Sequence, residues 1–222
     1  MPLSVRRLVF LAFACAGGVG LFALFFYGSD RFNHYDTTLT SRLLAPHGSS
    51  SERAAEFAAN SANLGPLLLI FAGIAILAIV WRRPWHLLVA TAVFVGANLT
   101  TQALKVMLAH PRLQGALGAS YPVQIAYPSG HATAAISAGF ALWLVAPPRW
   151  RALAALVGGA YALVVAVGVV LAGWHFISDV FGAMLVVGFW AFLGLAALVL
   201  GRQEAPRDWV PGRGESSVVL PK

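Results

Sequence analysis

The sequence predicts an all-α protein, a polytopic membrane bundle of about six transmembrane helices, and three observations carry that expectation. Of the 222 residues, 59% are hydrophobic and only 10% are charged, whereas soluble domains carry about 25% charged residues. Uncharged apolar runs approach the roughly 20 residues that a helix needs to cross a bilayer. Arginines, prolines and polar clusters bound each run.

The first run extends from Leu8 to Tyr27 behind Arg6 and Arg7, and the second from Leu64 to Val80, closed by Trp81-Arg82-Arg83-Pro84-Trp85. The third, Leu87 to Leu108, carries Lys105 near its end and is stopped by Pro111. A fourth begins near His131 and ends at Pro147-Pro148, a fifth covers Leu153 to about Ala172, and a sixth about Val180 to Leu200. The first run has the charge and length of a signal peptide. Phe13 before Ala14-Cys15 fits neither a small-residue cleavage site nor a lipoprotein site, and the apolar run continues past it, so it is read as a helix. Between the first two runs, "SSSERAAEFAAN" ends at Asn60; Ser51 or a neighbour is placed to cap a short helix lying on the outer surface, as a connector or a lid. The expected organisation is one membrane domain over residues 1–200, with the chemistry-bearing part at about 60–200. The tail from Gly201 to Lys222, rich in Gly, Pro and charge, is expected to be a disordered cytoplasmic end.

Orientation follows from the arginines. Arg6 and Arg7, Arg82 and Arg83, Arg149 and Arg151, and then Arg202, Arg207 and Arg213 all fall on one side of a six-span arrangement, which the positive-inside rule makes cytoplasmic. Both termini are then inside. The opposite loops, about residues 28–61, 109–130 and 173–178, face outward, and five of the six histidines lie in or beside them. The net charge of +7 is spread as topology signals and not gathered into one basic face, which argues against a nucleic-acid partner. Cys15 is the single cysteine, so neither an intrachain disulfide nor a Cys-based metal site is available.

Ionisable groups near a membrane interior are costly to hold and mark functional sites. Here they form three clusters at one membrane face: Lys105 with Arg112, Ser129 to His131, and His175 with Asp179. The inventory suits phosphate. Lys105 and Arg112 neutralise phosphoryl oxygens, the Arg in a bidentate fork and the Lys as a point charge. A turn at Ser129-Gly130 presents backbone N–H groups and the positive end of the following helix to the same anion. His175 and Asp179 are four apart, hence on one face of a helix, where the carboxylate would hold the imidazole in the tautomer that leaves one nitrogen free to attack. His131 is then the second imidazole, donating a proton to the departing alkoxide.

Each cluster also has a plainer explanation. Ser178-Asp179 suits an N-cap, Pro128-Ser129-Gly130 a turn, and Lys105 and Arg112 snorkelling anchors; it is their coincidence on one face that favours function. His34, His47 and His86 are read as interfacial hydrogen bonders. Asn98, Thr100, Thr101 and Gln102 are expected to hydrogen-bond to neighbouring helices, and Trp81, Trp85, Trp143, Trp150 and Trp174 to anchor the interface.

"KVMLAHPR" (Lys105 to Arg112), "PSGH" (Pro128 to His131) and "HFISD" (His175 to Asp179) resemble the three signature motifs of the type 2 phosphatidic acid phosphatase family. These are integral-membrane lipid phosphatases related to acid phosphatases and vanadium haloperoxidases. The resemblance implies that family's helical fold and hydrolysis of a lipid phosphomonoester or polyprenyl pyrophosphate of the bilayer, at an extracytoplasmic site, through a phosphohistidine. It assigns phosphate binding to Lys105, Arg112, Ser129 and Gly130, the general acid to His131, the nucleophile to His175 and its orientation to Asp179. It implies no cofactor and no metal.

Two positions depart from the family pattern. Leu113 follows Arg112 where the family has Pro, with Pro111 in front instead. Counting back from His175, the family's Ser-Arg falls on Gly168-Val169, so one phosphate-binding cation is absent, at an expected cost on the order of 3 kcal/mol. His110, Arg31, Arg42 and Arg53 are the available replacements. The alternative expectation is a lipid-phosphate-binding or transport protein on the same scaffold, with catalysis weakened or lost.

Overall fold

The structure, a computed structural model, describes residues 4–108 and 127–204. Arg112 and His110 lie outside the described residues. Those described are helical, without strands, in the order α1 (Val5–Gly28), α2 (Asp30–Leu43), α3 (Ser50–Asn60), α4 (Leu64–Val80), α5 (Pro84–Met107), α6 (Gly130–Val145), α7 (Arg151–Leu171) and α8 (Ile177–Glu204), with a single 3-10 turn at Pro148–Trp150.

Each of the six apolar runs is a helix, but not each is long enough to span alone. Among the described residues α1, α5, α7 with its preceding turn, and α8 are long and apolar enough to cross a membrane. The pair α3 and α4, bent by 57°, makes a fifth if it counts as one span. Helix α6 has 16 residues, about 24 Å at 1.5 Å per residue, against a hydrocarbon core of about 30 Å. Helix α8 runs on to Glu204, past the expected end of the membrane domain at residue 200.

The core forms around α6, which packs against α4, α5, α7 and α8, while α1 lies along α8. Small residues permit the closest approach. A Cβ on Gly139 of α6 would come within 2.6 Å of the Gly158 carbonyl oxygen of α7, and one on Gly158 within 2.7 Å of the Gly139 carbonyl oxygen, so only glycine lets these two backbones touch. The polar residues of α5 tie helices together as expected. Asn98 Nδ2 donates to Ser137 Oγ at 3.3 Å, Thr101 and Thr133 share a hydroxyl hydrogen bond of 2.9 Å, and Trp190 Nε1 donates to Thr100 Oγ1 at 3.0 Å.

The segment between the first two runs holds two helices where one was expected. Helix α3 is capped by Ser49, whose Oγ accepts the Glu52 N–H at 3.1 Å. Helix α2 is inverted in polarity: Asp36, Thr37 and Thr40 are buried, while Phe32, Tyr35, Leu39 and Leu43 are exposed. A helix with apolar residues outward and hydrogen-bonding residues inward fits a lipid boundary on one side and polar partners on the other.

Candidate active site

Helix α7 ends in a left-handed turn that delivers His175. Gly173, at φ 71°, allows the reversal, its N–H donating to Val170 O at 3.0 Å and the Trp174 N–H to Val169 O at 2.9 Å. These paired bonds form a Schellman motif. The His175 N–H also donates to Val169 O, at 3.1 Å, so the imidazole is launched from a rigid helix end.

Two residues later α8 begins. Asp179, in its first turn, accepts the Phe176 N–H at 2.9 Å through Oδ2, as the acidic member of a capping box does. The same oxygen lies 3.3 Å from His175 Nδ1. Capping and holding the histidine are therefore one arrangement, not competing explanations. Asp179 is fully buried and His175 only 7% exposed, so the pair is shielded from competing water. With Nδ1 turned to the carboxylate, Nε2 is the nitrogen left for chemistry.

The start of α6 is stitched to this turn. The Ser129 N–H donates to Asp179 O at 3.0 Å, and Ser129 Oγ caps α6 by accepting the Ala132 N–H at 3.3 Å. Ser129 is fully buried. Its hydroxyl thus shapes the turn. The first-turn N–H groups of Gly130 and His131 have no partner inside the helix. Lys105, in the last turn of α5, brings Nζ to 3.2 Å from where a Cβ on Gly130 would stand. Gln102 Nε2 lies beside it, 3.7 Å from the same point. The His131 and His175 rings are 6.3 Å apart, centre to centre, a separation across which one phosphoryl group can meet both.

The structure thus brings together Lys105, Ser129, Gly130, His131, His175 and Asp179. Residues 83–202 match the sequence profile of the PAP2 superfamily. The chain belongs to the PAP2 superfamily. The PAP2 fold is shared with a crystal structure of a transmembrane PAP2-type phosphatidylglycerolphosphate phosphatase from Bacillus subtilis, at a TM-score of 0.71 and 16% identity, covering 89% of this chain and all of that one. No curated protein sequence matches significantly. Several long apolar helices on this PAP2 scaffold make the chain a multi-pass membrane protein.

Val169, which the count back from His175 set at the family's Arg position, is fully buried in the apolar core. A Cβ on Gly168 would come within 2.8 Å of the Ala55 carbonyl oxygen. Helix α3 therefore packs directly against the place where the family's Ser-Arg would stand, and α7 meets it with small or apolar residues. Two of the suggested surrogates have other contacts: Arg31 lies 5.8 Å over the Tyr35 ring, and Arg53 donates to Gly48 O at 3.0 Å.

What the segment between the first two apolar runs and the α7–α8 turn supply was not anticipated. Asn63 Oδ1 is 2.9 Å from His131 Nε2. Asp36 accepts from both the N–H and the hydroxyl of Ser178, and Thr40 Oγ1 accepts the Ile177 N–H at 3.4 Å. Trp174, expected to be an interface anchor, has its ring centre 5.4 Å from that of His131. Its adjacency to His175 was the one signal in the sequence; Asn63 and Asp36 gave none.

Proposed function

We propose that this protein is a membrane lipid phosphatase that hydrolyses a lipid phosphomonoester or a polyprenyl pyrophosphate. One observation carries the reading: at one end of a membrane bundle, a cation, an open helix N-terminus and two imidazoles converge, one imidazole held by a carboxylate. Lys105, the N–H groups at the start of α6 and Arg112 would bind the phosphoryl oxygens. His175 Nε2 attacks phosphorus in line, and the departing oxygen takes the bond electrons together with a proton from His131. Water then attacks the phosphohistidine and gives its proton to His131, releasing phosphate and restoring His175. The arginine distribution supports an extracytoplasmic site with both termini in the cytoplasm.

A second reading, lipid-phosphate binding without turnover, is favoured by Val169 alone, since the apolar core has closed over the place of the third cation. Phosphate release by purified protein separates the two. The panel contains phosphatidic acid, phosphatidylglycerolphosphate and a polyprenyl pyrophosphate. Hydrolysis of at least one supports the phosphatase; binding of all three with no release supports the binding protein.

A further inference from the structure

The contact between Asn63 and His131 joins residues 68 positions apart and belongs to none of the three motifs. Asn63 occupies the N-cap position of α4, yet its side chain makes no cap hydrogen bond, although capping is the ordinary use of an Asn there. Its two polar atoms are committed elsewhere. Nδ2 donates to Asn60 Oδ1 at 2.8 Å, which leaves Oδ1 for the His131 ring. An amide oxygen only accepts, so the ring nitrogen facing it, Nε2, carries a hydrogen.

The bend that presents Asn63 is itself fixed. The Asn63 N–H donates to Asn60 O at 3.0 Å, and Tyr161 of α7 donates its hydroxyl to Ser61 O at 3.2 Å. Trp174 packs near the ring as well. His131 is thus held by groups from the α3–α4 bend and the α7–α8 turn.

We propose that Asn63 is a positioning residue for His131, holding Nε2–H so that Nδ1 is the nitrogen that gives and takes the proton. This rests on the reading of His131 as general acid. The two histidines then work through opposite nitrogens: His175 is held at Nδ1 and reacts at Nε2, and His131 is held at Nε2 and reacts at Nδ1. The difference in partner matters. A carboxylate stabilises positive charge on the ring it holds, which suits a nucleophile that becomes phosphorylated. A neutral amide orients a ring without binding its proton as an anion would, which suits a group that must release it. In the first step the Nδ1 proton passes to the leaving oxygen as the P–O bond breaks, and in the second Nδ1 accepts a proton from the attacking water. The Nε2 proton stays with Asn63 throughout.

The test compares a lipid phosphate, whose alkoxide needs protonation, with an activated aryl phosphate, whose leaving group does not. Wild type, His131→Ala, Asn63→Ala and Asn60→Ala proteins are assayed with both. Asn63→Ala is expected to lower kcat/KM, which reports the steps up to departure of the leaving group and not the later attack of water, by about tenfold or more on the lipid phosphate and by less than about threefold on the aryl phosphate. Asn60→Ala should shift the same ratio in the same direction by less. Equal loss on both substrates for Asn63→Ala, beside a selective loss for His131→Ala, overturns the role of Asn63 and leaves the general acid standing. Equal loss on both for His131→Ala overturns the general acid itself.

Discussion

The carbonyl oxygen of Val169 accepts the backbone N–H of His175 at 3.1 Å. Val169 therefore supports the proposed nucleophile through its backbone, while its side chain lies fully buried in the apolar core. Sequence reasoning alone makes Val169→Arg a candidate for restoring a lost cation. The packing reverses that expectation. A guanidinium forced into an apolar core without a partner is expected to cost about 3 kcal/mol or more, so Val169→Arg should lower both the unfolding temperature in detergent and the rate. A rate above wild type would mean that the side chain reaches the phosphate and that the core yields to it.

Asp36 offers a second test, because its buried carboxylate braces the first turn of α8 through Ser178. Asp36→Ala removes both bonds and leaves the Ser178 donors without that acceptor. The expected loss is about 2 kcal/mol of stability, from hydrogen bonds to a charged group, with a fall in kcat as His175 loses its fixed frame. Asp36→Asn should recover most of the stability, since an amide oxygen still accepts the Ser178 N–H. Thermal unfolding measured beside the rate checks both; an Asp36→Ala protein that unfolds like wild type would show that α8 starts correctly without the brace.

Sidedness is tested by fusion. A reporter after Lys222 is expected in the cytoplasm and one inserted near Ser50 outside, because Arg6, Arg7, Arg82, Arg83, Arg149 and Arg151 fall at the helix ends away from the His131–His175 site. Arg83 lies at the far end of α6 from His131, where it donates to the carbonyl oxygens of Val145 and Ala146. Inverted reporters would put the site in the cytoplasm.

The parts of this protein that were legible in its sequence are local ones. Apolar runs marked α1 and α4 to α8 because a membrane helix is written in consecutive residues. His175 and Asp179 were readable as a pair because four residues span one helical turn. The extent of α6 was legible too, since the run read from near His131 to Pro147-Pro148 is the helix Gly130–Val145; its 16 residues were nevertheless counted as a full span, which their length does not support. The contacts of Asn63 with His131 and of Asp36 with Ser178 link residues 68 and 142 positions apart. Neither has a periodicity or a motif to announce it. Ser129 was open to two readings, because a serine before a helix start serves a cap or a ligand equally well, and here it caps α6.

The central claim is that His175 forms a covalent bond to phosphorus. It is tested most directly by rapid acid-free quenching of the protein during turnover of a radiolabelled lipid phosphate, followed by mapping of the label. The account predicts an acid-labile, alkali-stable label on His175 in the wild-type protein and none in His175→Ala. Label persisting in the His175→Ala protein, or lipid hydrolysis continuing in it at the wild-type rate, would contradict the account.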